Sequence, residues 1–218
     1  MVGFYITMEG TEGCGKSTQK ELLCKRLLAD GYDVVPTKQP GGTDVGAQIR
    51  QVLISSENKN KILPITESLL FWADRYQHYE TVVKPSVVAG KIVVGDRDFD
   101  SSWAYQCFGR KIPEDWMHKI QKLVIDDFKP NLTLLYDGPV NVFLERVKQR
   151  KIQNGILAEE ARFDDETVDF HNNVRCGFLA LARTNSERFL VLDGTQGQDI
   201  LHQTTYELVK ERMKKSAD

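Results

Sequence analysis

The chain has 218 residues, 41% of them hydrophobic, which suits one α/β domain spanning residues 1–218 and leaves little room for a second full domain. With 29 basic and 31 acidic side chains the formal net charge is -2, so no global basic field is available to hold nucleic acid or a membrane surface. Four cysteines without a C-x-x-C pair and four histidines without close ligand spacing speak against a sequence-local metal cluster. Free thiols in the cytoplasm are the expectation, since the chain shows neither a leader-like start nor an apolar run near the ~20 residues of a membrane helix.

Phe4 to Met8 is a short apolar run that predicts a strand, and it breaks into Gly10, Thr11, Glu12, Gly13, Cys14, Gly15, Lys16, Ser17 and Thr18. Gly10, Gly15, Lys16 and Ser17 fit G-x-x-x-x-G-K-[ST]. In such a loop backbone N–H groups cradle phosphates, the lysine reaches the terminal phosphates and the hydroxyl holds Mg²⁺. From Gln19, Leu23, Cys24, Leu27 and Leu28 recur at helical spacing until Gly31, so bound phosphates lie against a helix N-terminus. Residues 32–35 predict a second strand, and the two prolines and two glycines of 36–43 predict a loop. A helix over 45–54 carries Arg50, residues 55–61 form a polar linker, and a helix from Thr66 towards Val83 carries Leu69, Leu70, Phe71 and Arg75 before Pro85 kinks or restarts it.

Residues 91–95 form an uninterrupted apolar strand of the buried, parallel kind, with Asp96 and Arg97 at its C-terminal end. Helices follow over 101–108 and 114–128, a buried strand over 132–136 and an amphipathic helix over 140–150. Residues 151–163 mix charge and glycine and predict a mobile segment, followed by a helix over 164–183, a strand over 189–192 and a helix over 200–214. Strands alternating with helices imply a parallel five-stranded sheet of the P-loop NTPase type, covered on both faces, with ligands at the carboxyl ends of the strands. Asp96 at such an end is suited to hold Mg²⁺ opposite Ser17, or else caps the strand. Arg97 offers a planar donor fork for phosphate oxygens. Lys38, Arg50 and the basic residues between 146 and 162 are each ordinary surface charges taken singly, and only a shared position at the loop edge raises them.

Several motifs in order give the chain a resemblance to the thymidylate kinase family. EGTEGCGKST (9–18) is similar to its phosphate loop, QPGGT (39–43) to its proline-glycine loop and LLFWADR (69–75) to its base-binding helix. DRDFDSSWAYQ (96–106) resembles its DR-x-x-D-S-S-x-A-Y-Q block, and RFDDETVDFHNNVR (162–175) the segment that closes its lid, here about 148–163. The resemblance implies phosphoryl transfer from ATP to dTMP with Mg²⁺, in a homodimer. It places Phe71 against the thymine ring, where periodicity alone favours core packing, and Arg75 on the same helical face as a donor to a base carbonyl. It sets Ser102 and Gln106 near the base edge, Tyr105 and Glu12 near the sugar, and Arg50, Arg97 and Lys38 on the acceptor phosphate. Because Gly13 and Cys14 leave no arginine in the phosphate loop, the resemblance assigns the catalytic charge to Lys16, Arg97 and the lid arginines Arg150 and Arg162. The chain departs from the family's usual Arg-Glu at Lys38-Gln39, has Ala161 before Arg162, and has Asp98 where an aromatic or histidine is common.

Overall fold

The computed structural model describes residues 3–154 and 162–216. Five strands, β1 (Phe4–Glu9), β2 (Val34–Lys38), β3 (Ile92–Asp96), β4 (Leu132–Asp137) and β5 (Phe189–Asp193), form one parallel sheet in the order β2-β3-β1-β4-β5. The inner strands are mostly apolar because both faces are covered, as the sequence predicts, with Thr7, Glu9 and Thr133 as buried polar exceptions. Phe4, Ile6, Met8, Ile92, Val94, Leu132, Leu134 and Tyr136 pack on one face with Leu23 and Leu27 of α1 (Lys16–Ala29), Phe143 of α7 (Val140–Asn154), and Leu201 and Val209 of α9 (Gln198–Lys215). Each fully buried leucine or isoleucine there contributes about 2 kcal/mol of transfer free energy. Tyr5 and Val93 alternate to the other face, against Trp72 of α3 (Pro64–His78), Phe99 of α5 (Phe99–Ser102) and Met117 of α6 (Glu114–Ile125). Beside them α8 (Val168–Thr184) buries Phe170, Val174 and Phe178 against Tyr105 and Leu135.

The boundaries differ from expectation for identifiable reasons. Helix α1 begins at Lys16, three residues early, because Gly15 at φ 97° ends the loop and starts the helix at once. Pro36, Thr37 and Lys38 belong to β2, whose outer side is unpaired, so a proline costs no ladder bond there. Helix α2 (Asp44–Ile54) is capped by Thr43 Oγ1, which accepts from Gly46 N at 2.9 Å. A short 3₁₀ turn (Ser56–Asn58) interrupts the linker, and α3 starts at Pro64 because proline suits the first helical turn. A π-helical turn (Tyr79–Val83) leads into α4 (Lys84–Val88), where Pro85 again sits in a first turn, so it restarts the helix. A second π-helical turn (Trp103–Gly109) replaces the regular helix expected over 101–108 and carries Tyr105 and Gln106. Helix α7 runs on to Asn154, into the expected lid, and residues 155–161 of that lid lie outside the described residues.

Candidate active site

Beyond β1 the chain turns through Gly10 (φ 140°) and Gly13 (φ 78°), a backbone that side chains rarely adopt. Space forbids one as well: a Cβ on Gly10 would meet the Tyr136 carbonyl oxygen at 2.6 Å, and one on Gly13 that of Phe143 at 2.2 Å. The loop is therefore wedged against the end of β4 and the start of α7. Lys16 is buried and donates from Nζ to Gly10 O and Thr11 O, both at 2.8 Å, with Cys14 Sγ at 3.4 Å. Ser17 Oγ donates to Asp96 Oδ2 at 2.7 Å, joining the helix start to the end of β3. These groups face a cleft of about 1000 Å³ lined by Glu12 to Thr18 and by Lys38, Arg50, Asp96, Arg97, Arg146, Arg150 and Lys151. In a chain of negative net charge, cations are concentrated around the phosphate-loop cleft.

Arg97 stands at φ 71°, left-handed backbone that costs a non-glycine residue ~1–3 kcal/mol and clusters at functional sites. The turn sends its guanidinium back over β1. Nη1 donates to Gly10 O and Ser101 Oγ, both at 3.1 Å, and Nη2 to Glu12 Oε1 and Tyr105 OH, both at 3.0 Å. Tyr105 OH donates to the same Glu12 oxygen at 2.5 Å, and His171 Nδ1 lies 3.3 Å from Glu12 Oε2. Burial alone would raise the Glu12 carboxyl, but His171, Arg97 and Lys16 outweigh it and hold it well below the usual carboxylate range. Underneath, Glu9 accepts from Asp98 N at 2.7 Å and Ser101 Oγ at 2.6 Å, and burial with the nearby Asp100 pushes it up to about 8. Asp100 is fixed in turn by a two-pronged pair with Arg188 at 2.7 and 2.8 Å.

Glu12 and Arg97 also line a second, smaller and largely apolar pocket that adjoins the cleft, together with Phe71, Ser101, Ser102, Tyr105, Gln106 and Phe163. The Phe71 and Phe163 rings lie 6.0 Å apart at 56°, packed against each other, so together they give the pocket one aromatic wall on which a flat ring can stack. Four expected residues line neither space: Gly10 and Thr11, whose carbonyl oxygens take Lys16 Nζ, and Arg75 and Arg162. Arg75, expected at a base carbonyl, is buried behind the pocket. It donates from Nε to Gln39 Oε1 (2.8 Å), from Nη1 to Ser102 Oγ (2.9 Å) and from Nη2 to Asp98 O (3.0 Å), and reaches the pocket only through Ser102. Arg162, expected over the transferring phosphoryl group, is buried with Nη1 on Leu53 O (2.9 Å) and Nη2 on Glu67 Oε2 (2.5 Å). Its charge is drawn to a buried carboxylate, while Arg150 does line the cleft.

For a divalent cation, the described residues bring together no cluster of three His, Cys, Asp or Glu. Ser17 and Asp96 supply one hydroxyl and one carboxylate oxygen at the cleft. That donor set fits Mg²⁺, which keeps several waters and takes substrate phosphates alongside one or two protein ligands.

The family model described as Thymidylate kinase matches residues 8–205. The chain belongs to the thymidylate kinase family. It is 43% identical over 196 residues to a thymidylate kinase of Geotalea uraniireducens (strain Rf4), covering 90% of this chain and 91% of that one. A thymidylate kinase of Sulfurihydrogenibium sp. (strain YO3AOP1) is 39% identical over 211 residues, 97% and 98% of the two chains. A crystal structure of thymidylate kinase from Ehrlichia chaffeensis superposes with a TM-score of 0.75 at 28% identity, covering 96% of this chain and 99% of that one. The family phosphorylates dTMP to dTDP at the expense of ATP.

Four residues that the sequence did not single out also stand at or next to the cleft and the pocket: Phe163 and Ser101 line the pocket, Glu67 holds Arg162 and Gln106, and His171 faces Glu12. Phe163 directly follows the lid arginine, and Glu67, Phe71 and Arg75 recur every fourth residue on one face of α3, a spacing that was legible. His171 carried no local signal, since only folding brings α8 to the phosphate loop. Among the described residues no helix is long and apolar enough to cross a membrane.

Proposed function

We propose that the cleft holds MgATP, that the Phe71–Phe163 pocket holds dTMP, and that the terminal phosphoryl group passes between them past Glu12 and Arg97. The observation that carries this reading is that the phosphate-loop cleft and an aromatic-sided pocket adjoin, with Glu12 and Arg97 lining both. Phosphoryl transfer leaves the protein little covalent work, so rate comes from alignment and from charge placed where it develops. Lys16 exchanges the Gly10 and Thr11 carbonyls for terminal phosphate oxygens. Arg97, whose Nη hydrogens are held by Gly10 O, Ser101 Oγ, Glu12 Oε1 and Tyr105 OH, exchanges some of these acceptors for acceptor-phosphate oxygens, as Lys16 does, with Arg50 and Lys38 lining the same cleft. Glu12, kept ionised, takes a sugar hydroxyl and keeps Arg97 and Tyr105 in place. Phe71 stacks on the base, and Ser102 and Gln106 meet its edge, with Arg75 acting through Ser102. Ser17 and Asp96 would hold Mg²⁺, which would supply positive charge against the phosphate chain.

Arg150 supplies the lid charge at the cleft. Two further features support the reading beyond the site. Val45, Val52, Leu69 and Tyr76, exposed on the packed helices α2 and α3, give apolar surface for a homodimer, and the four free cysteines suit the cytoplasm. Replacement of the central cation tests the reading. Lys16→Ala should lower kcat with ATP and dTMP by ~10³ or more while the melting temperature stays within a few degrees of wild type. A variant turning over at near wild-type rate refutes the phosphate-loop assignment.

A further inference from the structure

Glu67 lies one helical turn before Phe71, is wholly buried, and collects donors from two other parts of the chain. Gln106 Nε2 donates to Oε1 at 2.8 Å, Arg110 Nε to Oε1 and Oε2 at 3.2 and 3.3 Å, and Arg162 Nη2 to Oε2 at 2.5 Å. Both arginines are anchored at their other end, Arg162 on Leu53 O and Arg110 beside Glu166 Oε1 at 2.6 Å. A carboxylate clasped by two guanidinium groups offers lone pairs only, so the Gln106 amide must face it with N–H. That leaves the amide oxygen of Gln106 on the other side. The oxygen has no hydrogen-bond partner among the described residues, and its side chain lines the Phe71–Phe163 pocket.

We infer that Glu67 is a positioning residue for the acceptor base: it fixes the polarity of Gln106, so that the amide offers the pocket an acceptor. Thymine and uracil carry hydrogen on N3 and satisfy that acceptor. Cytosine has a lone pair at N3, which would face the amide oxygen unpaired, and sites built on a hydrogen bond reject the analogue that cannot make it. The two ends of a glutamine amide have nearly the same shape, so the charge of Glu67, rather than packing, decides which end meets the base. The inference rests on the pocket being the dTMP site.

Glu67→Gln keeps the shape but can donate as well as accept, which frees Gln106 to reverse. Dissociation constants of dTMP, dUMP and dCMP, measured by titration calorimetry on the full chain, test this. The ratio of dCMP to dTMP dissociation constants should fall about tenfold in Glu67→Gln, with dUMP moving together with dTMP. Equal weakening of all three, with the ratio unchanged, would overturn the inference, because a purely structural role moves every ligand alike. Should Glu67→Gln not fold, Gln106→Met, close in shape and without the amide, should narrow the same ratio, and a wild-type ratio in that variant would overturn it too. A wild-type protein that binds no pyrimidine monophosphate would instead refute the reading of the pocket, and this inference with it.

Discussion

His78 is wholly buried between Gln39 and Thr37, and acid should expose its protonation as lost stability. Arg75 can only donate, so the Gln39 oxygen must face its Nε at 2.8 Å, and the Gln39 amide N–H₂ must face His78 Nδ1 at 2.9 Å. Nδ1 is then a lone pair, the ring hydrogen sits on Nε2, and Nε2 donates to Thr37 Oγ1 at 2.5 Å. A second ring proton would point N–H against N–H in a site where His78 is wholly buried. Burial, aided by the charge of Arg75, accordingly lowers His78 from its ordinary 6.5 to about 4. The unfolded ring takes a proton below about 6.5 and the folded ring only below about 4, so the unfolded state binds more protons between those values. Stability is therefore whole above 6.5 and is lost as pH falls towards 4, by about 3 kcal/mol for this one group. Asp98 and Glu9 work in the opposite sense, because burial raises them to about 6 and about 8, and their protonation favours the folded state as pH falls. Total stability thus hides the His78 contribution, and a difference isolates it. Urea unfolding of wild type and His78→Asn at pH 7, 5.5 and 4.5 should show the gap between them shrinking by about 2–3 kcal/mol, and the His78 ring should not titrate above pH 5 by NMR. A ring that titrates near 6.5, or a gap constant with pH, refutes the tautomer argument.

Gly13→Ala combines left-handed backbone, worth ~1–2 kcal/mol, with a Cβ that meets the Phe143 carbonyl at 2.2 Å. It should lower the melting temperature by about 5–15 °C and raise the KM for ATP, because α7 carries Arg146 and Arg150 into the cleft. Thermal unfolding and steady-state kinetics check both effects, and an unchanged variant would remove the close fit of loop and helix. Arg150→Ala should cut kcat about tenfold or more at unchanged stability, whereas Arg162→Ala should cost about 3 kcal/mol by stripping a buried cation from Glu67. Side-by-side kcat values and melting temperatures decide this, and the reverse pattern would return the catalytic charge to Arg162.

Much of this architecture was legible in local sequence. Ile92 to Gly95 and Leu132 to Tyr136 read as buried strands because they lack alternation, and Gly10, Gly15, Lys16 and Ser17 stand at a spacing that only a phosphate loop requires. The family motifs brought Phe71, Ser102, Tyr105 and Gln106 to one place, and the fold puts all four around one pocket. What escaped were choices made between distant groups. Arg162 can serve a phosphate or a buried carboxylate, and nothing within a few residues of it reveals that Glu67 waits on α3, 95 positions away. Arg75 has the right helical face, yet Gln39, Ser102 and the Asp98 carbonyl hold it one layer deeper than periodicity implies. The π-helical turn at Trp103–Gly109 likewise reflects packing against α8, which contributes Phe170 and Phe178 around Tyr105, rather than any local propensity.

The proposed occupant of the adjoining pocket is the thymine nucleotide. A coupled assay with ATP and Mg²⁺ across dTMP, dUMP, dCMP, UMP, AMP and GMP tests it most directly. Turnover should be greatest with dTMP and negligible with AMP and GMP, whose two-ring bases overfill the small pocket lined by Phe71, Ser102, Tyr105, Gln106 and Phe163. Phosphorylation of a purine monophosphate as fast as dTMP would contradict the account.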